Sequence, residues 1–216
     1  MIETALRLLD EVGLEGLTVR RLAAEFGVQS PALYWHIRTK QQLLDGMADA
    51  IILASGMGPP GDEESWQEWL ARRARAYRDS LLAHRDGARI VCAAVQLRPA
   101  TVRMFDEELS AMVERGFTPA QALRTITGIT HYVNGFVLQR QVRAERQDSA
   151  APPGERLAAL AARPDRGASA PLIAALLEGG DPLGEEAFDH GLRAFIDGTA
   201  AALRASGRQP HVPGQQ

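Results

Sequence analysis

Apolar residues recur at a spacing of three to four positions along most of the chain, and this pattern predicts an all-helical protein. In the first quarter it predicts helices over 2–12, from position 18, and over 39–55. The remainder is predicted to form long helices at about 65–83, 87–95, 99–115, 119–146 and 184–206, with short helices near 155–162 and 171–178. No stretch shows the alternating pattern of a convincing strand, so the expected fold class is all-α.

Residues 18–40 carry the clearest local signals for two short helices joined by a tight turn. Thr18 is a suitable cap for the first helix, and Gly27 a suitable end. Ser30 followed by Pro31 has the cap and first-position proline of a second helix. Thr39, with a glutamine three residues later, begins another helix with the pattern of a capping box. The arrangement is typical of a helix-turn-helix.

The second short helix holds Tyr34, Trp35 and His36, more aromatic surface than a helix of two turns can bury by itself. Basic residues flank this aromatic run, among them Arg20 before it and Lys40 after it. The stretch therefore favours a helix that enters the major groove of DNA. The alternative is a small helical corner whose aromatic side chains pack on the rest of the protein.

A break in composition separates the head from the rest of the chain. The sequence SGMGPPGD at 55–62 is rich in glycine and proline. We therefore expect a head at 1–45 whose last helix continues to about 55, a helical body at 63–206, and a disordered tail at 207–216. A polar, proline-bearing stretch at 146–154 predicts a mobile loop.

Composition narrows the classes of function. The 216 residues carry a net charge of −3, so any DNA contact must come from a local basic patch. The single cysteine, Cys92, excludes an internal disulfide and is expected to be a small buried apolar residue. No apolar run is long enough to span a membrane, which predicts a cytoplasmic protein without a membrane partner. No enzyme motif, metal-ligand grouping or cofactor motif is present, so we expect no catalysis, no metal and no cofactor.

The helix at 119–146 has two features that bear on ligand binding and assembly. His131 lies among residues expected to face inward, where it is either a hydrogen-bonded core histidine or part of a ligand pocket. The apolar faces of this helix and of the helix at 184–206 exceed what one small core needs. A second copy of the chain would bury the surplus, which predicts a homodimer.

Several segments together resemble the TetR family of bacterial transcriptional repressors. The head segment EVGLEGLTVRRLAAEFGVQSPALYWHIRTKQQLLD at 11–45 is specific to this family. The resemblance continues through ESWQEWL at 64–70, HRDGAR at 84–89, MVERGFTPAQAL at 112–123, THYVNGFVLQ at 130–139 and GEEAFDHGL at 184–192. It therefore covers nearly the whole chain and is close to the tetracycline-binding members, including their C-terminal domain.

The resemblance implies an all-α homodimer, with an N-terminal three-helix helix-turn-helix domain that reads a palindromic DNA operator. The residues it implies for base reading are Arg20, Ser30, Pro31 and Ala32. The residues it implies for positioning the DNA backbone or for van der Waals contact are Thr18, Tyr34, Trp35, His36 and Lys40. This division agrees with the physics of readout, because arginine can bond a guanine edge while phosphate contacts carry no sequence information.

The resemblance also implies an effector pocket in the helical body. Its candidate lining residues are Tyr77, Cys92, Met104, Glu108, His131 and Gln139. In the tetracycline-binding members, a histidine and an acidic residue help hold a magnesium–drug chelate, and Val91 and Gln139 stand at those positions here. Arg73 and Glu108 stand where polar residues grip the drug, so we expect a small organic effector other than magnesium–tetracycline.

Three functional hypotheses follow from the sequence. The first is a transcriptional repressor that binds its operator as a homodimer and is released by the effector. The second is a small-molecule-binding helical protein whose DNA-binding head is degenerate, an alternative favoured by the weak net charge. The third is an enzymatic use of the pocket with His131 and Glu108 as acid and base, which no residue spacing supports.

Overall fold

The computed structural model describes residues 1–29, 37–147 and 181–205, together with the single positions 171, 174, 175 and 178. Within these residues it contains eight α-helices and no β-strand. In chain order they are α1 (Ile2–Gly16), α2 (Val19–Glu25), α3 (Lys40–Ala54), α4 (Trp66–Leu82), α5 (Gly87–Ala93), α6 (Pro99–Glu114), α7 (Pro119–Gln147) and α8 (Glu185–Ala205). The predicted all-α class is confirmed.

Helix α1 runs further than the predicted 2–12, because it continues through a kink. Gly13 has φ 70° and ψ 173°, a backbone conformation outside the helical region, and the helix resumes beyond it as far as Gly16. The helix buries Ala5, Leu8 and Leu9 on one face. A Cβ at position 13 would lie 3.1 Å from Nε of Arg85. Glycine at this position therefore allows the positive φ and also leaves room for the Arg85 side chain of the body.

Helix α2 has the boundaries that its sequence signals predict. The Thr18 hydroxyl accepts a hydrogen bond from the Arg21 N–H at 3.2 Å. Leu22 and Ala23 are buried, and Gly27 follows the helix with φ 63°. This cap and this left-handed glycine set where the helix starts and stops.

Helix α3 joins the head to the body. Its Thr39 cap accepts from the Gln42 N–H at 3.1 Å. The Gln42 side chain accepts from the Arg38 N–H at 2.9 Å, one residue earlier than the reciprocal bond of a capping box. The helix buries Leu43, Leu44, Met47, Ala48, Ile51 and Ile52. It packs on α1 at one side and on α4, α5 and α6 at the other, so it touches both parts of the molecule.

The body is a bundle in which α4 packs against α3, α5, α7 and α8. Ser65 and Glu68 form a capping box at the start of α4, and Thr118 and Gln121 make the equivalent reciprocal bonds before α7. Inside the bundle, Trp69 is fully buried and its indole N–H donates to the Gly58 carbonyl at 2.7 Å. The predicted starts of α4, α6 and α7 agree with the structure to within one residue.

Helices α7 and α8 approach each other closely at small residues. Phe188 of α8 packs against Tyr132 and Phe136 of α7, with ring centroids 5.5 and 5.0 Å away respectively. A Cβ on Gly128 would lie 2.9 Å from the ring of Phe195, whereas a Cβ on Gly135 would meet no atom within 4 Å. Gly128 therefore permits the close approach of α7 and α8, whereas Gly135 does not take part in this contact. The predicted loop at 146–154, the short helices at 155–162 and 171–178, and the tail at 207–216 lie wholly or largely outside the described residues.

Candidate functional site

Three of the predicted DNA-contacting residues belong to the part of the head that the structure describes, and all three are exposed. Thr18 precedes α2, Arg20 lies in its first turn, and Lys40 is the first residue of α3. The other predicted contacts, Ser30, Pro31, Ala32, Tyr34, Trp35 and His36, lie outside the described residues. The exposure of Thr18, Arg20 and Lys40 leaves them accessible to a partner.

The basic side chains of the head differ in how they are paired. Arg7 is neutralised by Glu25 at 2.9 Å. Arg20 and Lys40 form no ion pair within the described residues. Lys40 also begins α3, where unsatisfied backbone amides and the helix dipole favour an anion. Uncompensated cations therefore stand on the head even though the whole chain is slightly acidic.

The body contains a group of polar side chains among its apolar helices, which we call the polar cluster: Arg73 and Tyr77 of α4, Glu108 of α6 and Asn134 of α7. The Arg73 Nε donates to Glu108 Oε2 at 2.9 Å. Their side chains are 2% and 0% exposed, so this ion pair is removed from solvent. Burying two charges is costly, and such pairs generally need further hydrogen bonds to offset the loss of hydration.

The Arg73–Glu108 ion pair leaves hydrogen-bonding capacity unused. Arg73 Nη1 and Glu108 Oε1 are buried and have no hydrogen-bond partner among the described residues. Burial raises the pKa of the Glu108 carboxyl, and the neighbouring Arg73 guanidinium only partly offsets this. The cluster therefore offers one unused donor nitrogen and one unused acceptor oxygen.

Tyr77 and Asn134 complete the polar cluster on the side of α7. The Tyr77 hydroxyl donates to Asn134 Oδ1 at 2.9 Å, and Tyr77 is 3% exposed. Burial raises the pKa of the Tyr77 phenol, and a charge on nearby Cys92 would raise it further. Tyr77 is therefore a neutral hydrogen-bonding group throughout the physiological range.

The structure brings together only some of the predicted pocket residues. Tyr77 and Glu108 are buried in the polar cluster, and Met104 is half-buried one turn before Glu108 on α6. The expectation that Cys92 is buried is wrong, because its side chain is exposed one residue before the end of α5. The sequence did not single out Asn134, because α7 carries many polar residues and nothing near Asn134 distinguishes it from the others.

His131 and Gln139 are both exposed, so the expectation that His131 faces inward is wrong for the single chain. The core-facing positions of α7 include Ile129 and Val133. His131 is two residues from each of them, which is a rotation of roughly 200° around the helix axis. It therefore lies on the opposite face and does not join Glu108, which also removes the geometric basis for an acid–base pair.

Side chains of α3 hold the segment that connects α5 to α6. Asp49 accepts from the Arg98 N–H at 3.1 Å and from the Thr101 hydroxyl at 2.5 Å. Both Asp49 and Thr101 are buried. Arg98 precedes the first residue of α6, so a carboxylate from α3 satisfies the start of the helix that carries Glu108.

Two further α3 residues bind the same segment at four-residue spacing. Asp45 accepts from the Val95 N–H at 2.9 Å, and the Gln41 amide donates to the Ala93 carbonyl and to Asp45, each at 2.8 Å. Burial opposes ionisation of Asp45, but these hydrogen bonds outweigh it and lower the pKa of the carboxyl. We call Gln41, Asp45 and Asp49 the α3 ladder; the sequence signal for it was polar residues on successive turns of an apolar helix.

A second contact between head and body lies at the turn between α4 and α5. Asp86 has φ 59°, the left-handed conformation, and its carboxylate accepts from the Leu14 N–H at 2.7 Å. Asp10 of α1 accepts from the Arg85 N–H at 2.9 Å and lies 3.1 Å from the His84 ring. The end of α1 is therefore fixed to this turn independently of α3.

Two classes of site find no support in the part of the chain that the structure describes. It has no helix long and apolar enough to cross a membrane. It also has no group of three or more histidine, cysteine or acidic side chains placed to hold a metal ion.

The fold and these contacts define a class of all-helical proteins in which a small N-terminal head is joined by one shared helix to a larger bundle with a polar interior. Comparison with known families agrees on both parts. Residues 1–47 match the model described as bacterial regulatory proteins, tetR family. Residues 59–203 match the tetracyclin repressor-like C-terminal domain.

Characterised relatives are similar over most of the chain. The tetracycline repressor protein class A from transposon 1721 of Escherichia coli is 38% identical over 204 residues, which is 93% of this chain and 88% of that protein. The class C tetracycline repressor of Escherichia coli is 39% identical over 202 residues, covering 92% of this chain and 88% of that one. The chain belongs to the tetR family, as its sequence motifs predicted.

Solved structures agree with this assignment. A possible TetR family transcriptional regulator from Streptomyces coelicolor A3(2) superposes with a TM-score of 0.77 at 33% identity, covering 93% of this chain and 97% of that one. BioQ with its double-stranded DNA operator superposes with a TM-score of 0.62 at 27% identity, covering 93% of this chain and 95% of that one.

Proposed function

We propose that this protein is a transcriptional repressor that binds a palindromic DNA operator as a homodimer and is released by a small organic effector. The observation that carries the proposal is the α3 ladder, which ties the helix that begins with Lys40 to the start of the helix that contains Glu108. A change at the polar cluster therefore has a hydrogen-bonded route to the head. The operator complex of BioQ and the tetracycline repressors among the relatives support DNA and small-molecule partners.

The proposed division of labour follows the sequence analysis. The head at 1–45 binds DNA, α3 links the two parts, and the body at 63–206 binds the effector and forms the dimer. Effector and operator would favour different arrangements of the head, and the effector releases DNA by its differential affinity for those arrangements.

Homodimer formation is supported by the outward faces of α7 and α8. Leu123 of α7 is 55% exposed. On α8, the exposed positions include Ala194, Gly198 and Ala201, at intervals of three or four residues. Small residues on one face allow two helices to pack closely, and a symmetric pair would present two heads to two half-sites.

The effector of this proposal is not a magnesium–tetracycline chelate. By the family resemblance, Val91 and Gln139 occupy the positions that help hold the chelate. Val91 has no donor atom, and Gln139 offers a neutral amide oxygen in place of a carboxylate, so the pair lacks the negative charge that usually holds Mg²⁺. A charge-balanced ion pair, Arg73 with Glu108, stands where polar residues of the family contact the drug.

Fluorescence anisotropy against duplexes tiled across the upstream region of the gene tests operator binding, with nonspecific DNA as competitor and salt varied. We expect tight, competitor-resistant binding to one palindromic tile. Arg20→Met should weaken it by roughly tenfold, since one bidentate base contact contributes about 1–3 kcal/mol. Arg103→Met is the matched control, an exposed arginine on α6. Equal losses in both variants would contradict the assignment of Arg20.

The degenerate-head alternative makes the opposite prediction in the same experiment. It expects ligand binding by the body but only weak binding to all duplexes, with a uniform dependence on salt. Competitor-resistant binding to a single tile would eliminate this alternative.

A further inference from the structure

The Arg73–Glu108 pair is built differently from an ion pair that serves stability alone. Arg72, its neighbour on α4, makes two bonds of 2.8 Å to the two oxygens of Glu64, one from Nε and one from Nη2. That exposed pair uses both oxygens of its carboxylate. Arg73 makes one bond to Glu108, in the buried interior where an unused polar atom is most costly.

The unused atoms are of opposite kind and belong to a pair with no net charge. Arg73 Nη1 is a donor and Glu108 Oε1 is an acceptor, and neither has a partner among the described residues. Arg115 Nε is also unpartnered, but that side chain is half-buried and its two terminal nitrogens donate to backbone carbonyls at 3.2 Å. Only the polar cluster combines an unused donor and an unused acceptor within one buried pair of the described structure.

We propose that Arg73 and Glu108 together recognise an uncharged effector that presents a carbonyl acceptor to Arg73 Nη1 and an N–H or O–H donor to Glu108 Oε1, as a carboxamide, lactam or imide does. An anion would leave Glu108 facing excess negative charge, and a cation would leave Arg73 facing excess positive charge. In a buried site both situations are costly, so the balanced pair selects for neutrality as well as for hydrogen bonding.

The proposal rests on the proposed function in that it names the class of effector for the same pocket. On the side of the cluster that faces α7, the Tyr77 hydroxyl donates to Asn134 Oδ1. These two side chains therefore line the site but satisfy each other's hydrogen bonds. Met104, one turn before Glu108, adds apolar surface. The recognising atoms are therefore few and fixed, as is typical of small-molecule pockets.

Four probes that share one phenyl ring test the proposal on the full chain by ligand-observed NMR titration. Benzamide offers both an acceptor and a donor, N,N-dimethylbenzamide offers only an acceptor, benzoate is an anion and benzamidinium is a cation. We expect benzamide to bind at least about fivefold more tightly than each of the other three, because each leaves a buried group unpaired or a charge unbalanced. Equal affinities, tightest binding of an ionic probe, or no binding of benzamide would overturn the proposal.

Two variants separate recognition from folding. The double variant Arg73→Met with Glu108→Leu removes both charges at similar volume and should remain folded, since such replacements are often neutral or stabilising. Its preference for benzamide over N,N-dimethylbenzamide should disappear. The single variant Glu108→Gln leaves Arg73 uncompensated and should shift the preference to benzoate. Persistence of the benzamide preference in the double variant would assign the pair a structural role and refute the proposal.

The matched control is the double variant Arg72→Met with Glu64→Leu, which removes the neighbouring exposed pair and should keep the benzamide preference. Operator binding by the same proteins distinguishes the two proposals. Benzamide preference without operator binding would refute the proposed function alone. Operator binding without benzamide preference would refute the effector class alone.

Discussion

At the scale of single residues, the ion pair inside the bundle has the most direct energetic consequence. Arg73 and Glu108 are each almost fully buried, so each depends on the other to remain charged in the interior. Removal of one partner leaves an uncompensated charge, whereas removal of both leaves an apolar interior. The single variant should therefore lose much more stability than the double variant.

We expect Glu108→Leu to lower the free energy of unfolding by about 3–5 kcal/mol, and the double variant with Arg73→Met to recover most of that loss. Urea denaturation with both variants measures the two values. The exposed pair Arg72–Glu64 is the control, for which loss of one partner should cost less than about 1 kcal/mol. A Glu108→Leu cost no larger than that of Glu64→Leu would contradict the structure of the cluster.

Sequence reasoning located individual residues well where their chemistry is local. Thr18 and Gly27 mark the start and end of α2 because a cap and a left-handed glycine act on their own helix. Arg73 and Glu108 are 35 positions apart, and nothing near either residue reveals their bond. His131 was placed on the wrong face because α7 carries polar residues at several angular positions, including Thr127, Thr130 and Asn134, so its pattern does not clearly mark an inner side.

At the scale of helices, the close approach of α7 and α8 depends on glycine at one position and not at another. Gly128 faces the ring of Phe195, and Gly135, two turns later, faces open space. Both glycines lower the helix propensity of α7 by a similar amount. The difference between them isolates the contribution of packing.

Gly135→Ala should raise the free energy of unfolding by about 0.5–1 kcal/mol, because alanine is the better helix former. Gly128→Ala should lower it by about 1 kcal/mol despite the same gain, because its Cβ forces the ring of Phe195 to move. Thermal denaturation of both variants at equal protein concentration gives the comparison. Stabilisation by both substitutions would show that α7 and α8 are further apart than described.

Because the α3 ladder contains Asp45, the stability of the contact between α3 and the segment at 93–98 should depend on pH. The lowered pKa of Asp45 means that the folded protein binds this proton less readily than the unfolded chain does. The stabilising contribution is therefore fully present above the ordinary value of 3.8 and is lost as the pH falls through the lower pKa of the folded state.

We expect Asp45→Asn to be less stable than the parent at neutral pH and the difference to shrink as the pH falls below 3.8. Urea denaturation at a series of pH values measures this convergence. Glu107→Gln, an exposed carboxylate on α6, is the control and should show no comparable change. A difference that grows on acidification would contradict the direction of the pKa shift.

At the scale of the whole molecule, the structure is that of a single chain, whereas the proposed activity requires two copies. Exposed small residues on α8 are where we propose that the second copy packs. A long charged side chain placed there would be buried without a partner, at a cost of several kcal/mol. Assembly and operator binding should therefore fail together.

Ala194→Arg should weaken self-association by at least about tenfold, and operator binding should fall with it because one head reads only one half-site. Sedimentation equilibrium and the anisotropy titration measure the two effects. Ser110→Arg, which adds the same side chain at an exposed position of α6, is the control. Undiminished association of Ala194→Arg would move the dimer interface to another surface.

The α3 ladder and the polar cluster use different residues, and this separation bears on how the protein could be changed. Gln41, Asp45 and Asp49 hydrogen-bond to the segment before α6 and to the start of that helix, whereas Arg73 and Glu108 bond only to each other within the described residues. Under the proposed function, substitutions at the second set, by drift or laboratory selection, would alter which molecule is detected and leave intact the contacts through which detection reaches the head. A biosensor library would therefore diversify positions 73 and 108 and keep positions 41, 45 and 49 constant.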